Sequence, residues 1–153
     1  MEQIIRFGTD GWRGVIADNF TFANVRKIGL AIANYIHRQP NPGTGSAKVI
    51  IGYDTRFLSA QFARAMADLL AANKITVFLT ATALPTPVLS YAVRNRASFA
   101  GVMITASHNT CEYNGVKFKG PYGGSAHPEI TAGIEKMLPS GEVPLPVPAA
   151  HDA

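Results

Sequence analysis

The sequence has one cysteine, one tryptophan and no long hydrophobic run. A lone thiol, Cys111, cannot close an internal disulfide, so the chain is read as cytoplasmic. The longest apolar stretches, Ile75 to Leu84 and Ala97 to Ala106, fall well short of the ~20 residues of a membrane-spanning helix. No membrane association is therefore expected. The opening residues, "MEQIIRFGTD", lack the basic-then-apolar layout of a signal peptide, which argues against export. Charge of one sign is also scarce: 14 Lys and Arg stand against 10 Asp and Glu, a net +4, with a calculated pI of about 9.4. The longest basic run is Arg26-Lys27, and no basic strip interleaved with aromatics suggests a nucleic-acid partner. A mild positive excess better suits a small anion such as a phosphate ester.

Several signatures of chemistry are missing too. Neither G-x-x-x-x-G-K-[ST] nor G-x-G-x-x-G occurs, which removes the two common nucleotide-binding loops. The G-x-S-x-G elbow of many serine hydrolases is absent, and no His or Cys spacing suits zinc. No Asp-x-Asp cluster is available to a magnesium ion, which favours octahedral oxygen ligands.

What remains is an ordinary soluble composition, 47% hydrophobic and 16% charged over 153 residues, enough for one core. After Thr21, a helix N-cap by type, Phe22, Val25, Ile28, Ile32 and Tyr35 or Ile36 recur at helical spacing to about Arg38. "QPNPGTGSA" reads as an exposed loop and "KVIIGYD" as a strand. Ser59 is placed as the cap of a second helix carrying Phe62, Met66, Leu69 and Leu70, followed by a strand from Ile75 to Leu79. Thr86-Pro87 opens a third helix. Phe99 to Thr105 is a third apolar strand, and "NGVKFKG" reads as an edge or half-exposed strand. Ser125 or His127, with Pro128 in the first turn, opens a helix whose Ile130, Ile134, Met137 and Leu138 share a face. The order β, α, β, α, β, α, β, β, α predicts a three-layer α/β/α sandwich around a mostly parallel, mixed central sheet. Residues 1–138 form the domain, while "PSGEVPLPVPAAHDA", residues 139–153, has the proline content of a linker or tail.

The stretch "GVMITASHNT" ends an apolar strand at Ser107, His108 and Asn109, where open α/β sheets bind ligands, beyond the carboxyl ends of their strands. A serine there is a nucleophile, a phosphate carrier, a helix cap or a turn residue. In "FGTDGWRG", Gly8, Gly11 and Gly14 permit backbone amides to face an anion and Arg13 can grip a phosphate. The same residues also read as a plain hairpin turn at Asp10-Gly11. Arg56, in "GYDTR", is read as bracing its loop through Asp54 or a neighbouring turn. Lys119 is read as a solvated strand residue, Cys111 as incidental, and His37, His127 and His151 as surface or capping groups.

"FGTDGWRG", "GYDTR", "PTP", "TASHN" and "YNGVK" follow one another in that order. In this the chain resembles the α-D-phosphohexomutases, the phosphoglucomutase and phosphomannomutase family, from about Ile5 to Leu138. The resemblance implies the first of four domains, the one bearing the phosphoserine. Under it, Ser107 donates a phosphoryl group to a hexose phosphate, and a bisphosphorylated sugar turns around to return its other phosphate. Hexose 1-phosphate and 6-phosphate are thereby interconverted. Arg13 and Lys117 match the basic residues beside the phosphoserine and His108 a proton-transfer or phosphate-binding neighbour; Thr105 and Asn109 fall to substrate binding. Mg²⁺ would be held through the phosphate of Ser107, its other ligands lying in later domains expected in cis. The isolated chain is thus expected to bind metal weakly and to lack sustained turnover. The alternative is a stand-alone phosphosugar-binding or subunit-pairing module. One departure falls inside the loop: Thr110 stands where the family usually has proline, and is expected to loosen the presentation of Ser107.

Overall fold

Alternate residues of the central strands belong to two different hydrophobic clusters. Val49 and Ile51 join a large cluster with Val102 and Ile104, whereas Ile50 and Met103 join a small one with Leu89 and Val93. A period of two with both sets buried means a sheet covered on both faces. The computed structural model of the chain, which describes residues 5–8, 10–40 and 47–146, shows that sheet. Thr9, most of the "QPNPGTGSA" loop and residues 147–153, His151 among them, lie outside the described residues.

The elements are β1 (Trp12–Val15), α1 (Phe22–His37), β2 (Lys48–Tyr53), α2 (Ser59–Ala72), β3 (Thr76–Leu79), α3 (Thr86–Asn95), β4 (Ala100–Ile104), β5 (Tyr113–Lys119) and α4 (Pro128–Glu135). Their order is the one expected from the apolar periods. The strands lie in the order β1-β5-β4-β2-β3. β4, β2 and β3 run parallel, while β5 is antiparallel to both β4 and β1. Helices α1, α2 and α4 cover one face, contributing Ile28, Ile32, Phe62, Met66 and Ile134 to the large cluster. Helix α3 covers β2 and β4 on the other face with Leu89 and Val93. Burying each such side chain contributes about 1.5–3 kcal/mol. The ring of Phe20 lies edge-on to Phe62 at 4.8 Å and stacked on Trp12 at 5.2 Å, adding roughly 0.5–1.5 kcal/mol per pair.

Several local expectations hold. Thr21 caps α1, its hydroxyl accepting from the Asn24 amide at 3.2 Å. Pro87 and Pro128 occupy the first turns of α3 and α4. Others are corrected. Ser59 is the first residue of α2 and not its cap; Leu58 holds the cap position with left-handed backbone and no side-chain bond. The Ser59 hydroxyl instead donates to Asp54. Of the two residues offered as the start of α4, His127 holds the cap position and Ser125 does not; the Ser125 hydroxyl donates to Asp10. Helix α4 ends at Glu135, so Met137 and Leu138 follow it in turns to Ile134 and Glu135, as suits a chain about to enter Pro139. Strand β5 lies inside the sheet, and Lys117 and Lys119 are 6% and 5% exposed. Among the described residues, 139–146 carry no helix or strand.

Candidate active site

The neighbouring parallel strands β2 and β4 send their chains on in opposite directions along the sheet: β2 leads through α2 to β3 on one side, and β4 leads through its loop to β5 on the other. Such a reversal opens a crevice at the carboxyl ends of the two strands. The loop after β2 contains Asp54 and Arg56, and the loop after β4 contains Ser107, His108 and Asn109. Both therefore flank that crevice.

Ser107 is exposed and adopts φ +59°, the left-handed region that side-chain-bearing residues seldom enter. Its amide donates to the Thr105 hydroxyl at 3.0 Å. Thr105 is itself buried, its amide bonded to the Gly115 carbonyl. The Asn109 amide closes the turn on the Ala106 carbonyl at 3.1 Å. His108 is exposed beside the serine.

Arg56 holds this loop from within. One guanidinium nitrogen donates to the carbonyls of Thr110 at 2.7 Å and Tyr113 at 3.0 Å, the other to those of Ser107 at 2.9 Å and Asn109 at 2.6 Å. The Nε lies 3.3 Å from an Asp54 oxygen, the pairing expected from "GYDTR". The other Asp54 oxygen accepts from the Arg56 amide and the Ser59 hydroxyl. Ser59 in turn accepts from the fully buried Asn114, whose amide oxygen takes the Gly115 N–H. A continuous polar chain thus runs from β5 through the head of α2 to the serine loop. Thr110, expected to loosen the loop, is tied at its carbonyl by Arg56 and at its hydroxyl by Glu112. That hydroxyl bond is the foremost of the influences that lower the Glu112 pKa.

Across the sheet, Arg13 of β1, Gly115 of β5 and Thr105 at the end of β4 form one row. A Cβ on Gly115 would stand 2.6 Å from the Thr105 oxygen, 2.7 Å from the Trp12 oxygen and 3.1 Å from Arg13 Cγ. The glycine lets Arg13 lie over the strand, on the face where Thr105 ends β4. The Arg13 Nε is buried and has no hydrogen-bond partner among the described residues.

Lys117 lies in β5, two residues beyond Gly115 and so on the same face. Its ammonium is not free: it pairs with Asp10 at 2.5 Å, while Lys119 reaches the other Asp10 oxygen at 3.3 Å and Ser125 at 3.1 Å. Burial alone would push the Asp10 carboxyl up. Hydrogen bonds from Lys117 and Ser125, with the charges of Lys119 and Lys117, outweigh it and hold the carboxyl below its ordinary value. Lys119 is thus a buried ion-pair member and not the solvated residue expected. In the glycine-rich segment, Gly8 and Gly11 form an antiparallel bridge. Gly11, at φ +100°, lies so close to β5 that a Cβ would come 2.3 Å from the Val116 oxygen. Gly8 and Gly11 thus bracket Asp10, which meets the two lysines.

A family model described as "Phosphoglucomutase/phosphomannomutase, alpha/beta/alpha domain I" matches residues 5–143. This chain belongs to that family. It is 40% identical over 147 residues to a phosphoglucomutase of Staphylococcus saprophyticus, covering 94% of this chain and 26% of the relative. A phosphoglucomutase of Staphylococcus aureus strain USA300 is 43% identical over 128 residues, 80% of this chain and 22% of the relative. A solved Thermus thermophilus structure assigned to the phosphomannomutases superposes with TM-score 0.87 at 42% identity, over 94% of this chain and 32% of that one. The chain spans about a quarter of the length of the curated relatives it matches. It has the α/β/α architecture that the description of domain I names.

The structure brings Ser107, Thr105, Asn109 and Arg56 into one loop assembly, and aligns Arg13 with Thr105 across Gly115. It assigns Lys117 to a separate pairing with Asp10. Sequence reasoning missed the roles of Asp10, Ser59 and Asn114. Asp10 and Asn114 sit in motifs it did single out, but Lys117 lies 107 residues from Asp10 and Ser59 lies 55 residues from Asn114.

Proposed function

We propose that this chain is the phosphoserine-bearing domain of a phosphohexomutase that interconverts hexose 1-phosphate and hexose 6-phosphate, with Ser107 as the phosphoryl carrier. The observation that carries the reading is the left-handed, exposed Ser107 at the crevice of the sheet, fastened on both sides by hydrogen bonds of its own backbone. Strained backbone that the surrounding structure over-determines is characteristic of functional sites.

In the forward step the phosphorus–Oγ bond of phosphorylated Ser107 breaks as a hexose phosphate hydroxyl oxygen bonds to phosphorus. The hydroxyl proton leaves to a base, for which exposed His108 is the nearest side chain in sequence, and the freed serine oxygen ends protonated. The bisphosphorylated sugar, turned around, returns its other phosphoryl group to Ser107 by the same exchange in reverse. Such transfer depends on positioning and on neutralising charge. The unpartnered Arg13 Nε is a donor waiting for an acceptor, which a phosphoryl oxygen supplies. Lys117, balanced by Asp10, contributes as a positioned donor more than as a free charge. Asn109 and Thr105 shape the turn around the reacting oxygen, so their contribution to substrate binding runs through the loop.

Mg²⁺ does not fit this chain's residues alone. Among the described residues no group of three or more His, Cys, Asp or Glu side chains could hold a metal, and no step here is routed through one. In this reading, later domains supply the remaining ligands and the sugar-reading residues, and the 153-residue chain alone lacks sustained turnover. No helix among the described residues is long and apolar enough to cross a membrane, and cytoplasmic hexose phosphates are the proposed partners. The test is a coupled assay of the chain with glucose 1-phosphate, Mg²⁺ and a hexose bisphosphate, alone and joined to the remaining domains. The reading expects turnover only in the joined form, abolished by Ser107→Ala. Turnover surviving that substitution would overturn it.

A further inference from the structure

The guanidinium of Arg56 collects four main-chain carbonyls, those of Ser107, Asn109 and Thr110 in the serine loop and that of Tyr113 at the start of β5. Peptide groups among the described residues are trans, so the N–H of each peptide points opposite to its carbonyl. Drawing the Ser107 and Asn109 carbonyls inward onto Arg56 therefore turns the His108 and Thr110 amides outward. Neither amide has a hydrogen-bond partner among the described residues, whereas the intervening Asn109 amide is occupied by Ala106. Outward amides on an exposed loop make an anion-accepting concavity.

We propose that Arg56 is the positioning residue of the phosphoryl-carrying loop: by gathering these carbonyls it fixes Ser107 in its left-handed conformation and aims the His108 and Thr110 amides at the phosphoryl group. This rests on the phosphoryl-carrier reading and adds to it how the group is held. Arg56 does not touch the phosphate; its hydrogen bonds are spent on the loop and on Asp54. The geometry requires an arginine. Two nitrogens of one rigid plane each serve two carbonyls, and Asp54 orients the plane through Nε. A lysine would keep the charge but lose the fork. Asp54, Ser59 and Asn114 form the support behind it, which links the aim of the loop to strand β5.

The test uses the 153-residue chain with phosphoserine installed genetically at position 107, so that the phosphate does not depend on any transfer reaction. Phosphorus NMR follows its second ionisation against pH, and amide NMR follows His108 and Thr110. Amide hydrogen bonds favour the dianion, so the midpoint should lie below the ordinary value of about 6. In Arg56→Lys it should rise by about one unit with the charge retained and the fold intact. A merely stabilising role would leave the midpoint of the folded chain unchanged, and that result overturns the proposal. Should Arg56→Lys fail to fold, the unsubstituted chain still decides: the His108 and Thr110 amides move downfield on phosphorylation, or the proposal fails. Failure of the carrier reading is seen separately, as mutase turnover that survives Ser107→Ala.

Discussion

Replacing Ser107 by glycine should make the chain more stable while removing its reacting atom. At φ +59° a residue with a Cβ bears about 1–2 kcal/mol of steric strain, which glycine relieves. Glycine also widens the unfolded ensemble, at a cost of about 0.4–1 kcal/mol. Little else is lost, because the Ser107 side chain is exposed, and the bonds that hold the residue, to Thr105 and from Arg56, are made by its backbone. The net gain is about 0.5–1 kcal/mol, or roughly 1–4 °C in Tm for a domain of this size. Differential scanning calorimetry should show the rise for Ser107→Gly and a fall for Ser107→Val, since a β-branched residue fits the left-handed region worst. Ala17, exposed at φ +69° and remote from the crevice in sequence, provides the control: Ala17→Gly should rise comparably. A lower Tm for Ser107→Gly beside a higher one for Ala17→Gly would refute the strain argument.

Asp10→Asn leaves Lys117 and Lys119 without their carboxylate. Discounting the roughly 3–5 kcal/mol of a fully buried pair for the one-third exposure of Asp10, it should cost about 1–3 kcal/mol at neutral pH. Because the folded pKa of Asp10 is lowered, that contribution is present above the unfolded carboxylate range and is lost as pH falls through the folded value. Urea unfolding of both chains should therefore differ most near neutrality and converge in strong acid. Gly115→Ala drives a Cβ against backbone oxygens on both sides and should cost about 3 kcal/mol, read as a large drop in Tm. By contrast, Asp68→Ala breaks only an exposed pair on α2, with Arg64 at 2.9 Å, and should change stability by less than about 0.5 kcal/mol.

The alternation of layers was legible because each element carries its own period: three- and four-residue spacing in α1, and unbroken apolar runs in β2 and β4. Caps were legible where the side chain bonds its own helix, as at Thr21. They misled where a carboxylate outside the helix competes: the Ser59 hydroxyl donates to Asp54, 5 residues before it, and the Ser125 hydroxyl to Asp10, 115 residues away. Strand β5 shows the same limit. Two lysines in an alternating run signal solvent unless a carboxylate arrives from elsewhere, and Asp10 arrives from over a hundred residues away. The serine was visible at a strand end, but its left-handed backbone was not. Its loop is gathered by Arg56, which reaches across more than 50 residues to carbonyls, and carbonyls leave no trace in residue type.

The most direct test of the phosphoryl-carrier role is phosphopeptide mapping of the protein as isolated from cells, repeated after exposure to a radiolabelled hexose bisphosphate. Phosphate is expected on Ser107, exchanging with the label, and none in Ser107→Ala. Label confined to another residue, or an active protein that never carries phosphate at Ser107, would contradict it.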